Sequence, residues 1–289
     1  MHDVQAIGHV TVDRIETRDG FLQRAGGTSI YFPLALARLG GDVGVLTRMA
    51  AEDEDVLLAE TRDAGIDVVC AASPKTTEFE NRYLPEDRDR RVQRVGAVAL
   101  PFAPDDVASL EARLFHLGPL TYEDMSVDFI EAVAARGRVS LDVQGLVRRI
   151  VRGRVEASDW PDKRRGLSRV AIVKADEYEA QVLTGESDPE ACARRLASWG
   201  PEEVLVTRAA DGVIVCHAGE VHAVASIPAP DPVDPTGCGD TFMAGYVFSR
   251  LRGAEPAVAA RFGAAAATLK LGHVGPFDAT REAVEALLA

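Results

Sequence analysis

Short apolar runs alternate with amphipathic segments along most of the chain. The apolar runs predict buried strands at 4–10, 43–46, 67–70, 114–117, 139–143, 171–173 and 204–207. Helical spacing of apolar residues predicts helices at 28–39, 53–64, 126–135, 176–183, 189–198, 240–251 and 256–271. Because the two kinds of segment alternate, we expect an α/β fold with a mostly parallel sheet covered by helices on both faces, a three-layer doubly wound arrangement. Ligands of such sheets bind beyond the carboxyl ends of the strands.

The first predicted helix has its own start and stop signals. Gly26-Gly27 breaks the chain, Thr28 or Ser29 can cap the helix, and Gly40-Gly41 ends it. Pro33 then has to lie within the first turn, where proline is tolerated.

Two β-prone stretches differ from the rest because they are charged on both faces. They cover 76–83 and 90–98, with a turn at 84–87, and predict a hairpin outside the main core. With the charged segment 14–24, this hairpin would form a small sheet over a cleft; a solvated surface hairpin fits the pattern equally well. We expect a single domain over 1–289, with lid elements at about 14–25 and 76–98 inserted in it. An exposed lid edge would allow pairing of two copies as a homodimer.

Composition narrows the class of function. The chain has 289 residues, 47% of them hydrophobic, and a formal net charge of −13, which argues against nucleic-acid and anionic-membrane partners. Its four cysteines are far apart and form no C-x-x-C pair, so neither a zinc site nor a disulfide framework is predicted. With no basic region and apolar run at the N-terminus and no apolar stretch of membrane-spanning length, we expect a cytoplasmic protein.

The segment around Gly237-Cys238-Gly239 carries the candidate chemistry. The glycines let backbone amides turn toward one point, and the helix predicted to follow adds its free N–H groups and dipole. This arrangement predicts an anion site. Asp240 would repel a bound polyphosphate unless it faces a hydroxyl that must lose a proton. The segment therefore predicts phosphoryl transfer to an alcohol.

Simpler interpretations fit this segment less well. A Gly-x-Gly turn that merely begins a helix is common, but the accompanying Asp234, Thr236 and Asp240 make it a poor description of the segment. No Walker A loop occurs in the sequence, and no G-x-G-x-x-G fingerprint follows the first strand. These absences argue against P-loop and dinucleotide-binding enzymes.

Nearly the whole chain resembles the ribokinase-like, or PfkB, family of carbohydrate kinases. The segment 234–242 is similar to the family's C-terminal D-T-x-G-A-G-D signature. Further matches are Asp13, Gly26-Gly27, 35–40, His116-Leu117-Gly118, Glu179 with Leu183-Thr184-Gly185, and Val206-Thr207 ahead of Asp211-Gly212. His116 is interpreted as a packed histidine at a strand end.

The resemblance implies roles for the signature. Asp240 would be the catalytic base, and the amides of Gly237, Cys238 and Gly239 would form the anion hole. Cys238 stands where the family usually has alanine, and one interpretation is a small packed residue. Because a helix N-terminus lowers thiol pKa, we predict a moderately reactive thiol.

The resemblance also implies ATP and Mg²⁺ as cofactors, with K⁺ as a further expectation. Adenine would lie between the loop after Thr207 and the helix at 263–265. The expected ATP-contacting residues are Asp176, Thr207, Ala209, Gly212, Gly239 and Ala264. Glu179 would act on Mg²⁺ through water, unless it is a surface carboxylate, and Asp234 and Thr236 would hold the monovalent cation.

Departures from the family pattern bear on the acceptor. Tyr31 replaces a common asparagine, Asp176 replaces another, and Ala209 replaces a glycine. Segments 142–148, 27–32 and 76–81 are similar to inositol-kinase-like members. The candidate acceptor residues are Asp13, Gly26, Gly27, Tyr31, Asn81, Gln144 and Arg148.

These residues favour a compact polyol such as myo-inositol. For Asp13 the alternative is an exposed cap residue. The rival functions are a nucleoside kinase of the same fold and a catalytically silent sugar or nucleotide sensor.

Overall fold

A computed structural model describes residues 1–17, 20–84 and 87–289, and their side chains except those within 15–22 and 81–92. The strands are β1 (His2–Ile7), β2 (Thr11–Thr17), β3 (Gly20–Gly26), β4 (Val43–Met49), β5 (Asp67–Ala72), β6 (Thr77–Leu84), β7 (Asp87–Ala97), β8 (Ala112–Leu117), β9 (Arg138–Asp142), β10 (Arg148–Val151), β11 (Arg154–Ala157), β12 (Ile172–Asp176), β13 (Glu203–Thr207), β14 (Val213–His217) and β15 (Glu220–Val224). The helices are α1 (Thr28–Arg38), α2 (Glu54–Leu57), α3 (Ala59–Asp63), α4 (Val127–Ala134), α5 (Lys163–Leu167), α6 (Glu177–Thr184), α7 (Pro189–Ala197), α8 (Cys238–Leu251), α9 (Pro256–Leu271) and α10 (Arg281–Leu288).

The main sheet has the strand order β15-β14-β13-β12-β9-β8-β1-β4-β5 within the described residues. The strands from β13 to β5 are parallel, and β14 and β15 extend the sheet as an antiparallel hairpin. Alternate residues of one strand enter different cores: Val4 and Ala6 pack with α1, α8 and α9, whereas Ile7 packs on the other side with α4, α6 and α7. The predicted α/β fold, with helices on both faces of a mostly parallel sheet, is confirmed.

A second sheet, called here the small sheet, has the order β10-β11-β7-β6-β2-β3. The predicted hairpin of charged strands forms as β6 and β7, and the segment 14–24 contributes to β2 and β3 beside it. The sequence patterns missed β10 and β11, each only four residues long.

Several local expectations were wrong. The helix predicted at 53–64 is interrupted at Leu58, so that α2 and α3 are separate. Neither Thr28 nor Ser29 caps α1; the N-cap is Gly27, and the Ser29 hydroxyl donates instead to the carbonyl oxygen of Gly8, at 2.6 Å. The patterns also missed β14, β15, α5 and α10.

One buried network joins α8 to the main sheet. Tyr246 and Arg250 lie one helical turn apart on α8 and both bind the carboxylate of Glu203, the first residue of β13. The Arg250 Nη2 to Glu203 Oε1 distance is 2.6 Å. Hydrogen bonds from these two residues outweigh the burial of Glu203 and keep the pKa of its carboxyl below the usual value. The network therefore fixes α8 against β13.

Candidate active site

The segment that precedes α8 forms a tight turn against α1. Its last residue, Gly237, is the N-cap of α8 with φ of +79°, in the left-handed region that glycine adopts without strain. A Cβ on Gly237 would lie 2.2 Å from Tyr31 Cδ1, so the close approach of this turn to the tyrosine ring also requires glycine. The Cys238 amide donates to the carbonyl oxygen of Pro235 at 3.1 Å. Of the three amides expected to form an anion hole, that of Cys238 therefore already has a partner.

Asp240 lies in the first turn of α8, partly buried. Burial and the neighbouring Asp142 carboxylate raise its pKa to about 6, although a hydrogen bond from Thr28 and the charge of Lys174 act in the opposite direction. Thr28, expected to cap α1, thus serves Asp240 instead. A carboxyl group with a pKa near the working pH is suited to accept and release a proton.

Lys174 provides the positive charge beside Asp240, and sequence reasoning missed it. Its buried Nζ lies 3.0 Å from Asp142 Oδ2 and 3.9 Å from Glu179 Oε2. Burial alone would lower the pKa of Lys174, but the two carboxylates raise it above the usual value. A Cβ on Gly239 would lie 3.5 Å from this Nζ, so the ammonium lies against the first turn of α8. The available signal was a lysine inside an apolar strand, in register with Asp142 on the adjacent parallel strand.

Glu179 is buried, with 2% of its surface exposed, so the surface-carboxylate interpretation is wrong. It forms a capping box with Asp176: each carboxylate accepts the other residue's amide, at 2.7 Å in both directions. Burial raises the pKa of Glu179 to about 7, against the charge of Lys174. Its Oε1 has no hydrogen-bond partner among the described residues. This buried, unpartnered oxygen fits a water or a hydrated Mg²⁺.

A cavity of about 900 Å³ opens between the small sheet and the carboxyl edge of the main sheet. It brings together most of the residues predicted for the acceptor and the signature. Those lining it are Asp13, Gly27, Tyr31, Gln144, Arg148, Asp234, Thr236, Gly237, Gly239 and Asp240. Of the remaining candidates, Gly26, Asp176, Glu179, Thr207, Ala209, Gly212, Cys238 and Ala264 do not line it. The side chain of Asn81, on β6, lies outside the described residues.

The small sheet contributes one wall of this cavity. The Thr11 hydroxyl donates to Asp13 Oδ1 at 2.8 Å, and a Cβ on Gly26 would lie 2.3 Å from Asp13 Oδ2. Gly26 therefore acts by leaving room for the Asp13 carboxylate. Phe79 and Gln93 line the same wall, and the sequence reasoning did not single them out.

Tyr31 lines the cavity, and its ring lies against Gly237 at the end of the turn before α8. Burial raises its pKa above the usual value, and the carboxylates of Asp13 and Asp234 add to that shift. The phenol therefore stays protonated and can donate a hydrogen bond to an acceptor oxygen.

The residues expected around adenine lie at the end of β13 and on α9. Ala209 adopts φ of +45°, a left-handed conformation that explains why a glycine is usual there. The Thr268 hydroxyl on α9 donates to the carbonyl oxygen of Ile227 at 2.8 Å, so the chain after β15 is joined to α9.

Asp234 has two cationic neighbours. Its Oδ1 accepts the Thr236 amide at 3.0 Å, and its Oδ2 lies 3.3 Å from Arg24 Nη1. Its backbone carbonyl accepts a hydrogen bond from the Lys270 ammonium at 2.9 Å. Although burial opposes it, these partners lower the pKa of Asp234, so its carboxylate stays ionised. The carboxylate and the backbone carbonyl of Asp234, which was expected to help hold a monovalent cation, are thus already bound to other groups of the protein.

The prediction of a reactive Cys238 thiol is wrong. Burial raises the pKa of Cys238 to about 11, and its Sγ points toward backbone carbonyls of Asp234 and Ala267. Desolvation therefore outweighs the effect of the helix N-terminus. His116 is buried and stacks on Phe32 with 4.0 Å between ring centroids, and burial lowers its pKa to about 4, as a packed histidine requires.

Comparison with known proteins places this architecture in a family. Residues 1–282 match the model of the pfkB family carbohydrate kinases, and the chain belongs to that family. Kinases of this family typically use ATP with a divalent metal.

The chain is similar to the cytidine kinase of Thermococcus kodakarensis, with 28% identity over 263 residues that cover 88% of this chain and 90% of that protein. It is 35% identical to the inositol 3-kinase of Zea mays over 159 residues, which cover 51% of this chain and 38% of the plant protein. A solved structure of a pyrophosphate-dependent kinase of the ribokinase family, complexed with a pyrophosphate analogue and myo-inositol, superposes with a TM-score of 0.87 at 30% identity, covering 98% of this chain and 99% of that one. The protein is therefore a kinase.

Two features are absent from the described residues. No group of three or more His, Cys, Asp or Glu side chains is placed to hold a metal ion by itself. No helix there has the length and apolar character needed to cross a bilayer.

Proposed function

We propose that this kinase transfers a phosphoryl group from ATP to a hydroxyl of a small sugar or polyol, with a cyclitol as the favoured acceptor. The observation that carries the proposal is the placement of Asp240. It lines the same cavity as Asp13, Tyr31 and Gln144, at the N-terminus of α8, and its pKa of about 6 suits a general base.

In the proposed reaction, Asp240 accepts the proton of the acceptor hydroxyl. The amides of Gly237 and Gly239 and the Lys174 ammonium stabilise the charge of the transferring phosphoryl group. Asp13, Tyr31 and the polar groups of Gln144 and Arg148 hold the other hydroxyls of the acceptor. Mg²⁺, near Glu179, would neutralise further phosphate charge when bound.

We propose that the small sheet acts as a lid that screens the acceptor from water, since it forms one wall of the cavity. Pairing of two copies through an edge of this sheet remains a prediction, which light scattering of the purified protein tests.

A second donor is supported by a specific observation. The residues expected around adenine do not line the cavity, while the turn at Gly237–Gly239 and Lys174 do. The similar solved kinase is pyrophosphate-dependent. A donor without a base needs only the phosphate-binding part of the site, so pyrophosphate is the alternative to ATP.

The acceptor also has an alternative, because the similar cytidine kinase favours a nucleoside. One matrix of assays separates these possibilities. ATP and pyrophosphate are each combined with myo-inositol, ribose, fructose and cytidine, and the phosphorylated product is detected by phosphorus NMR. We expect product from ATP and myo-inositol, and none with the Asp240→Asn variant.

Turnover of cytidine alone would replace the cyclitol proposal with the nucleoside one. Product only with pyrophosphate would replace the donor. Donor and acceptor binding without product in any combination would favour the silent sensor.

A further inference from the structure

Lys270 is a buried charge that the proposed reaction does not use. It lies in the last turn of α9 with none of its surface exposed. Its Nζ donates to the carbonyl oxygens of Asp234, at 2.9 Å, and His273, at 3.2 Å. The ammonium thus joins the start of the turn before α8 to the chain that follows α9.

The chemistry of these partners is that of a monovalent cation site. Backbone carbonyl oxygens that converge on one point are the ligands that proteins use for K⁺. Here the point of convergence holds a lysine Nζ, a compact charge with three donors.

The charged groups around this point are already paired with one another. The carboxylates of Asp234 and Asp278 both act on Lys270; that of Asp234 faces Arg24, and that of Asp278 lies 3.3 Å from His273 Nε2. Lys270 and Arg24 both lower the pKa of Asp234, so both act on it as neighbouring positive charges. A metal ion added there would have to displace the Lys270 Nζ from the two carbonyl oxygens, and it would meet the positive charges of Lys270 and Arg24.

The main chain is also held without a metal. The amides of Val233 and Asp234 donate to the carbonyl oxygen of Leu271, at 2.8 and 3.3 Å, and the Thr236 amide donates to Asp234 Oδ1. Hydrogen bonds between groups of the protein therefore hold the turn against the end of α9.

We propose that Lys270 takes the place of a monovalent cation beneath the turn before α8, so that this kinase does not depend on potassium. Lys270 is then a positioning residue: it holds the turn that ends at Gly237, from which α8 and Gly239 continue, and it contacts no reacting atom. The inference rests on the proposed phosphoryl transfer only where turnover is the readout.

The first test uses the unmodified protein. Its thermal unfolding temperature and its turnover are measured in KCl, NaCl and tetramethylammonium chloride at equal ionic strength. We expect the same values in all three salts, because the proposal is that no K⁺ binds. A K⁺ ion that bound the folded state and not the unfolded state would raise the unfolding temperature. A higher unfolding temperature or a faster turnover in KCl than in tetramethylammonium chloride would overturn the proposal.

The second test removes the Lys270 ammonium so that the carbonyl oxygens it binds become available to K⁺. Lys270→Ala removes the ammonium and leaves the carbonyl oxygens, and Lys75→Ala, at an exposed lysine, is the matched control. We expect the Lys270→Ala variant to unfold at a lower temperature in tetramethylammonium chloride and to be stabilised by KCl. We also expect its turnover to be at least about tenfold higher in KCl, a difference of about 1.4 kcal/mol.

A folded Lys270→Ala protein that ignores KCl in both measurements would contradict the proposal. If this variant does not fold, Lys270→Arg keeps a cation at the same place, and a potassium response in that variant would contradict it too. The unfolding measurements need neither donor nor acceptor. A protein that phosphorylates nothing would therefore refute the proposed function and leave the test of Lys270 valid.

Discussion

Asp234 and Asp240 stand at the two ends of one short turn and have opposite surroundings. Asp234 faces Arg24, Lys270 and the Thr236 amide, which lower the pKa of its carboxyl. Asp240 is desolvated beside the Asp142 carboxylate, which raises its pKa to about 6. The two aspartates of one sequence motif therefore differ in chemistry: the Asp234 carboxylate stays ionised and anchors the turn, whereas the Asp240 carboxyl can exchange a proton.

The largest effect is expected from removing the carboxylate of Asp240, the proposed base. Asp240→Asn should lower kcat by roughly 10²–10⁴-fold, the usual contribution of a positioned base, while donor binding changes little. Steady-state rates and calorimetric titration of the donor measure the two quantities. Asp231→Asn, at a nearby exposed aspartate, is the control and should keep full turnover. Near-normal turnover of Asp240→Asn would refute its role as base.

Removing the charge of Asp240 and removing that of Asp234 should change the free energy of unfolding in opposite directions. At neutral pH, Asp240→Asn should raise the free energy of unfolding by about 1–3 kcal/mol, because its raised pKa means that the folded state disfavours the ionised form. This gain is absent below the ordinary aspartate pKa and grows as pH rises through about 6. Urea unfolding across pH measures it.

Asp234→Asn should lower the free energy of unfolding by about 1–3 kcal/mol, since it leaves Lys270 and Arg24 with a weaker partner. Its depressed pKa means that this contribution is present above the ordinary aspartate pKa and is lost as pH falls. If the free energy of unfolding changed in the same direction in Asp240→Asn and Asp234→Asn, the two carboxylates would not have the opposite surroundings described here.

The pH dependence of the reaction tests the raised pKa of Asp240. We expect kcat/KM to fall below an apparent pKa of about 6, where Asp240 becomes protonated. Asp142→Asn removes the like charge that raises the pKa of Asp240 and leaves Lys174 beside it, so the acid limb should move to lower pH. An unchanged or higher apparent pKa in this variant would show that another group controls the limb.

The smallest effect is expected at Cys238, between the two aspartates. Because burial raises its pKa to about 11, alkylation at neutral pH should be much slower in the native protein than in the urea-unfolded protein. Mass spectrometry of the modified peptide measures both rates. Cys238→Ala should leave turnover unchanged and stability within about 1 kcal/mol. Rapid native alkylation would restore the reactive-thiol prediction.

The sequence was sufficient for the elements whose signal is local. Apolar runs and helical spacing located the parallel strands from β1 to β13, and the glycines with Asp240 located the turn before α8. Short elements such as β10 and β11 escaped because four residues carry too little periodicity to distinguish a strand from a loop.

The parts of the site that the sequence could not give depend on contacts between distant segments. Lys174 acquires its meaning from Asp142 and from the approach of Gly239, and Lys270 from the carbonyl oxygen of Asp234. The same is true of Cys238, where a local rule about helix N-termini predicted the wrong direction because it ignored burial. Charge balance among distant residues is a property of the folded chain.

The network of Tyr246, Arg250 and Glu203 has a consequence for how the reaction is prepared. By fastening α8 to the first residue of β13, it sets the position of Asp240 relative to the main sheet when the chain folds, before any ligand arrives. A base that needs no rearrangement avoids the reorganisation energy that water would demand at the moment of proton transfer. In the proposed reaction the acceptor is therefore brought to a base that is already in place, and the hydroxyl that is phosphorylated is the one that can approach the Asp240 carboxylate.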